Sequence, residues 1–195
     1  IRGTSPVFIE ASEYDQIVAA VAFAQREGLR AVIVGGRDAP LCADLLTRHD
    51  IPVVVTGTFR FPKRDDSPYD DAFTLPARLE AAGITWALAG GDDTAHERNL
   101  PYAAALAVAH GLSEEAAVRA LTRSAAEIFG IGAHYGSLEK GKSATLIITD
   151  GSPLEVTTSV HAAFMYGRRI DLTNKQTELE EKYREKYEQI GAYKR

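Results

Sequence analysis

Residues Gly136–Leu154 read GSLEKGKSATLIITDGSPL, and the organisation of the chain turns on them. A glycine-serine start and a Gly-Lys pair at Gly141-Lys142 bracket a tight basic corner. The run ATLIIT, Ala144–Thr149, is β-branched and apolar, a buried-strand composition bounded by turn residues. Asp150-Gly151-Ser152-Pro153 then forms a second turn. The stretch therefore predicts turn, strand, turn, and it separates two regions of different character.

Upstream, apolar runs alternate with helical patterns. Pro6–Ala11 (PVFIEA), Arg30–Val34 (RAVIV), Pro52–Thr56 (PVVVT) and Ile84–Ala89 (ITWALA) read as strands. Between them, Ser12 with Asp15 predicts a capped helix that places Ile17, Val18, Val21 and Phe23 toward a core and ends at Gly28. Further helices are expected over Asp38–Arg48 and Leu75–Ala82. This alternation implies parallel βα units. Three more helical segments follow: Leu100–His110, one capped by Ser113 with Glu114 and Glu115 in its first turn, and one opening on Ser124 and Glu127 and stopping at Gly130.

Downstream, Val160–Tyr166 and Arg168–Leu172 read as strands around Gly167. Asn174–Ile190 is charged, with Leu179, Tyr183, Tyr187 and Ile190 at helical spacing, the pattern of a surface helix docked by a narrow stripe. The expected division is 1–135, 136–172 and 173–195.

Composition excludes some classes. The net charge of −5, with Lys and Arg scattered, argues against a nucleic-acid surface. No apolar run reaches the ~18 residues that span a membrane. The only cysteine, Cys42, rules out an intrachain disulfide and is compatible with a reducing compartment such as the cytoplasm. The chain begins at Ile1 on the approach to a strand, so an upstream segment is expected.

The ordered motifs resemble the amidohydrolase superfamily of metal-dependent hydrolases, of the imidazolonepropionase and dihydroorotase kind. Gly136–Leu154 is similar to that family's passage from barrel to small β-domain. Asn99–Ile131 is similar to its late helices, and VHAAFMYGRRI to its closing strands. The resemblance implies an α/β fold: the C-terminal half of a (β/α)8 barrel, part of a small β-sandwich domain and a C-terminal helix. A complete barrel has eight strands and roughly 250 residues. The family's paired histidines and bridging Lys or Glu would then lie before Ile1. Half a barrel exposes strand edges, so a homo-oligomer or association with the N-terminal half is expected.

In such barrels chemistry sits at the C-terminal strand ends. The resemblance puts Glu10 where the family usually has a metal-binding His, and a carboxylate can ligate through oxygen. Gly35 stands at a second His position and offers no side chain, although Gly35-Gly36 could let amides approach an anion. Thr56 ends the third strand as a substrate contact, before a polar loop, FRFPKRDDSPYDD, long enough for a lid. Asp92, in Gly90-Gly91-Asp92-Asp93, matches the family's metal-binding and proton-shuttling Asp. His96 and Arg98 would overhang the same mouth, Arg98 suited to a carboxylate. His49, His110, His134 and His161 read as structural.

Two functions follow. One is metal-assisted hydrolysis of a C–N bond in an amide or cyclic amide, with a divalent metal such as zinc held by Asp92 and Glu10 and a small-molecule substrate. The other is a non-catalytic or redirected scaffold that binds a small ligand or partner. An independent flavodoxin- or Rossmann-type domain is disfavoured, because no G-x-G-x-x-G follows the first strand.

Overall fold

The computed structural model describes residues 5–91 and 94–192. Four strands, β1 (Val7–Ala11), β2 (Ala31–Gly35), β3 (Val53–Thr56) and β4 (Trp86–Ala89), form one parallel sheet in sequential order. Helices α1 (Tyr14–Glu27), α2 (Ala43–Arg48) and α3 (Asp71–Ala81) make the crossovers, and α4 (Leu100–Ala109), α5 (Glu114–Leu121) and α6 (Arg123–Ile128) follow. A second sheet, β5 (Leu146–Thr149), β6 (Val160–Met165) and β7 (Arg168–Ile170), is antiparallel. It leads to α7 (Lys175–Gln189). The fold is thus a parallel, barrel-like α/β core with a small antiparallel sheet and a C-terminal helix.

The chain divides into two compact units. One comprises 1–143 with 151–158, the other 144–150 with 159–195. The signature stretch therefore leaves the first unit at β5 and returns to it, burying Leu154 in the first unit's core.

Because strand side chains alternate, each strand of the parallel sheet serves two faces. Ile9, Ala11, Ile33, Val53, Val55, Trp86 and Leu88 point to the helix layer, where they pack with Ile17, Val21, Leu46, Leu75 and Leu79. Each such side chain contributes about 1.5–3 kcal/mol of burial. Val32, Val54 and Ala87 point the other way and pack with Ala125 and Ile128 of α6. Phe8, on the same face, meets the Phe129 ring at 5.3 Å. Arg30, just before β2, donates to the carbonyls of Glu127 and Ile128, fixing α6 at the N-terminal end of this inner face.

Several local expectations are corrected. The cap of α1 is Glu13 rather than Ser12: Gln16 Oε1 accepts from the Ser12 and Glu13 amides, while the Ser12 carbonyl is held by Asp38 N–H. The second crossover opens as a 3₁₀ turn, Ala39–Cys42, before α2. Helix α3 begins at Asp71, so Pro76 lies inside it; Thr74 and Arg78 hold the first turn through Asp70 and Asp71. Ser124 lies within α6, and Thr122 at its cap position donates to Val118 O instead of capping. Ser113 does cap α5, accepting from Ala116 N–H, and Asn174 caps α7. Helix α7 buries none of its residues, so its apolar stripe is not docked among the described residues.

Two glycines of the signature separate backbone strain from packing. Gly136 has φ +92°, and a Cβ there would lie 2.7 Å from Ala126 Cβ and 2.9 Å from Arg123 Cα. Gly141 has φ +98° with open space around it. Gly141→Ala should cost about 1 kcal/mol of strain. Gly136→Ala should cost at least about 2 kcal/mol, because strain and overlap add. Urea unfolding midpoints of the two variants check the order.

Candidate functional site

The inner face is covered at its N-terminal end by α6 and open at its C-terminal end. Glu10 on β1, Val34 on β2, Thr56 on β3 and Ala89 on β4 share this open part, and Glu10 is exposed on it. The register puts Glu10 in one row with Val34, Val54 and Ala87. Thr56 lies in the next row, beside Ala89. Two strand spacings and one two-residue step place Glu10 and Thr56 roughly 12 Å apart. They share a face without sharing a ligand atom.

The other expected residues are distributed unevenly. Asp92 lies outside the described residues. His96 and Arg98 are exposed on the 3₁₀ segment Thr94–Asn99 that leads into α4. Gly35 and Gly36 shape the turn that ends β2. They adopt φ +103° and +65°, and Gly36 N–H donates to Ala11 O in a tight strand-to-helix turn. A Cβ at Gly35 would strike Ser12 Oγ, which accounts for the glycine.

Among the described residues no group of three or more His, Cys, Asp or Glu could hold a metal. Glu10 has only apolar neighbours in its row. The described donors therefore do not fit a metal by themselves.

A polar cluster that was not anticipated occupies the rim. Buried Arg37 donates to Glu13 Oε1, and Asp38, also buried, accepts from Tyr14 N–H at 3.1 Å. Arg64, from the long loop, reaches Glu13 at 2.8 Å and Asp38 at 2.6 Å. The loop is thus strapped to the β1 and β2 strand-end turns, while Thr58 Oγ1 donates to Ala103 O and ties it to α4. Hydrogen bonds from Arg64 and then Arg37 hold the Glu13 carboxyl below its ordinary value. Burial opposes the charge on Asp38, but Arg64 and the Tyr14 amide outweigh it and its value is also lowered. The sequence showed the loop's charges, but not that Arg64 passes over Asp65 and Asp66 to pair across the fold.

The comparisons agree with this architecture. The sequence pattern of the amidohydrolase family matches residues 43–178. The chain belongs to the amidohydrolase family. An amidohydrolase from Thermotoga maritima MSB8 is 28% identical with a TM-score of 0.76, covering 85% of this chain and 43% of that one. A prolidase solved with N-methylphosphonate-L-proline is 22% identical with a TM-score of 0.61, covering 85% and 45%. An adenosine deaminase from Xanthomonas campestris with bound zinc is 22% identical with a TM-score of 0.56, covering 96% and 51%. The chain spans about half or less of the length of these structures. No curated protein matches it. Among the described residues no helix is long and apolar enough to cross a membrane.

The lowered carboxyls give a signed prediction. Their contribution to stability is fully present above the ordinary carboxylate range near pH 4–5, and it is lost as pH falls through the lower folded values. Arg64→Ala should remove part of this dependence. Its thermal midpoint should fall below wild type at pH 7, and the gap should narrow toward pH 2–3. Melting curves across that range check it.

Proposed function

We propose that this chain supplies the last four βα units of an amidohydrolase barrel whose whole protein hydrolyses a C–N bond in an amide or cyclic amide of a small molecule. The observation that carries the reading is the open C-terminal end of the inner face. Glu10 and Thr56 point into it, and Asp92 follows β4 in sequence at the position that matches the family's proton-shuttling aspartate. In this reading Asp92 takes a proton from the attacking water and returns it to the leaving nitrogen. Thr56, His96 and Arg98 contact substrate. A divalent metal such as zinc, if the whole protein carries one, would polarise the carbonyl and acidify water. Glu10 and Asp92 would be this chain's share of its donors, and the remainder would come from elsewhere in the protein. The names prolidase and Xaa-Pro dipeptidase recur among the fold matches and bring prolyl amides into the substrate class to be screened. At 17–22% identity they support the fold and not the substrate.

The second reading, a scaffold that binds without hydrolysing, draws on Gly35 and on the apolar row around Glu10, which together leave the described strand ends short of donors. The outer edges of β1 and β4 lack strand partners among the described residues. They call for cover by further strands of the protein or by a second copy.

Metal content and hydrolysis of an amide panel by the full-length protein separate the two readings. Stoichiometric metal with turnover that falls about 10²–10⁴-fold in Asp92→Asn is expected for the enzyme. Glu10→Gln should lower metal occupancy or turnover about tenfold or more. A metal-free, folded protein inert on the panel would establish the scaffold reading instead.

A further inference from the structure

Helix α7 is braced along its own length, and one of its faces is left uncovered. Asn174 closes the first turn in a capping box, accepting from Gln176 and Thr177 N–H. Arg184 reaches Glu180 one turn earlier at 3.3 Å, and Gln189 donates to Glu185. The Tyr183 and Tyr187 rings stack with centroids 6.4 Å apart, and Lys186 Nζ lies 5.8 Å from the Tyr183 ring centre. Even so, Leu179, Tyr183, Tyr187 and Ile190 remain 40–64% exposed along one side. The stripe runs about 17 Å at the helical rise. A contiguous apolar patch with a charged margin marks a protein contact.

Two properties of the stripe select what covers it. The first is its order. Read from either end it runs aliphatic, aromatic, aromatic, aliphatic. An antiparallel copy of the helix therefore sets Leu179 against the second copy's Ile190 and Tyr183 against the second copy's Tyr187. Both contacts share a two-fold axis near the level of Glu185, so each occurs twice, as a closed dimer requires. The second property is charge. The first half of α7 holds Glu178, Glu180 and Glu181 against Lys175. The second half holds Lys182, Arg184 and Lys186 against Glu185 and Glu188. Antiparallel pairing lays the acidic half along the basic half and sets the helix dipoles in opposite directions. Parallel pairing would set like charge against like.

We propose that α7 is a dimerisation helix, pairing antiparallel with α7 of a second copy of this chain through Leu179, Tyr183, Tyr187 and Ile190. The surface is separate from the strand ends of the parallel sheet and does not depend on the hydrolase reading. A contact of four turns is small beside the roughly 1,200–2,000 Å² of a stable interface, so the pairing depends on protein concentration.

The test uses the full-length protein. Sedimentation velocity across the micromolar range should show a dimer, and folded Tyr183→Glu should weaken association about tenfold or more. Introduced cysteines read the orientation, because Cys42, the cysteine already in this chain, is buried. Under mild oxidation Lys186→Cys, beside the two-fold axis, should link to its own copy. Leu179→Cys alone should not, whereas Leu179→Cys combined with Ile190→Cys should. These variants change exposed side chains, so the links report on a native-like fold. Efficient self-linking of Leu179→Cys overturns the antiparallel pairing. An association that folded Tyr183→Glu leaves unchanged, or no link at Lys186→Cys, overturns the proposal. So does a protein that stays monomeric, and that outcome assigns the stripe to another segment of the same molecule.

Discussion

Alternation along four short parallel strands is the constraint from which the rest of this fold follows. Odd positions in β1 to β3 and even positions in β4 are sealed under the helices. The complementary positions form an inner face that α6 covers only at its N-terminal end. A parallel sheet ordinarily buries both faces, so its strands read as continuous apolar runs. Here the runs break at Glu10 and Thr56, two of the four places where the inner face reaches the open end, while Val34 and Ala89 stay apolar. Polarity at these points is a consequence of geometry before it is a matter of chemistry. A side chain two residues earlier on the same strand would be under Phe129 or against Ile128.

At the rim a different balance operates. The β1 and β2 turns approach closely enough that a Cβ on Gly35, already at φ +103°, would meet the Ser12 hydroxyl, and that approach brings Glu13, Arg37 and Asp38 together. Desolvation works against each of these charges. The pairing with Arg64 more than compensates for the two carboxylates, as their lowered values indicate. It leaves the Arg37 and Arg60 nitrogens unsatisfied. The long loop is consequently less a free lid than a strap fixed at Thr58 and Arg64.

The sequence carries the four βα units plainly, because buried runs such as VIV at 32–34 and VVV at 53–55 are bounded by glycine and proline. It also carries the caps in which a side chain bonds its own helix, at Ser113 and Asn174. It fails where a local signal competes with a contact distant in sequence. Ser12 resembles a cap, yet its carbonyl is taken by the Asp38 amide, so the helix starts one residue later. The helix expected from Leu75 opens four residues earlier, at Asp71, and Pro76 is buried inside it. The site is legible only in part for the same reason. Glu10 and Thr56 follow from lying at the strand ends that the family resemblance marks for chemistry, whereas Arg37, Asp38 and Arg64 become a cluster only when three strand ends converge.

The Gly136–Leu154 stretch shows why a scaffold can be recognised when its chemistry is not. Gly136 is required because a side chain would collide with α6, and Leu154 because it fills the core beneath the helices. Both demands are steric, and both persist whatever the strand ends carry. Ligation depends instead on a handful of atoms at the C-terminal strand ends, where Gly35 offers no donor and Glu10 offers oxygen rather than imidazole nitrogen. Glu10 is exposed, so changing it costs the fold little. Packing constraints spread over many residues thus keep the family legible along 43–178, while the reaction rests on few enough residues to change independently.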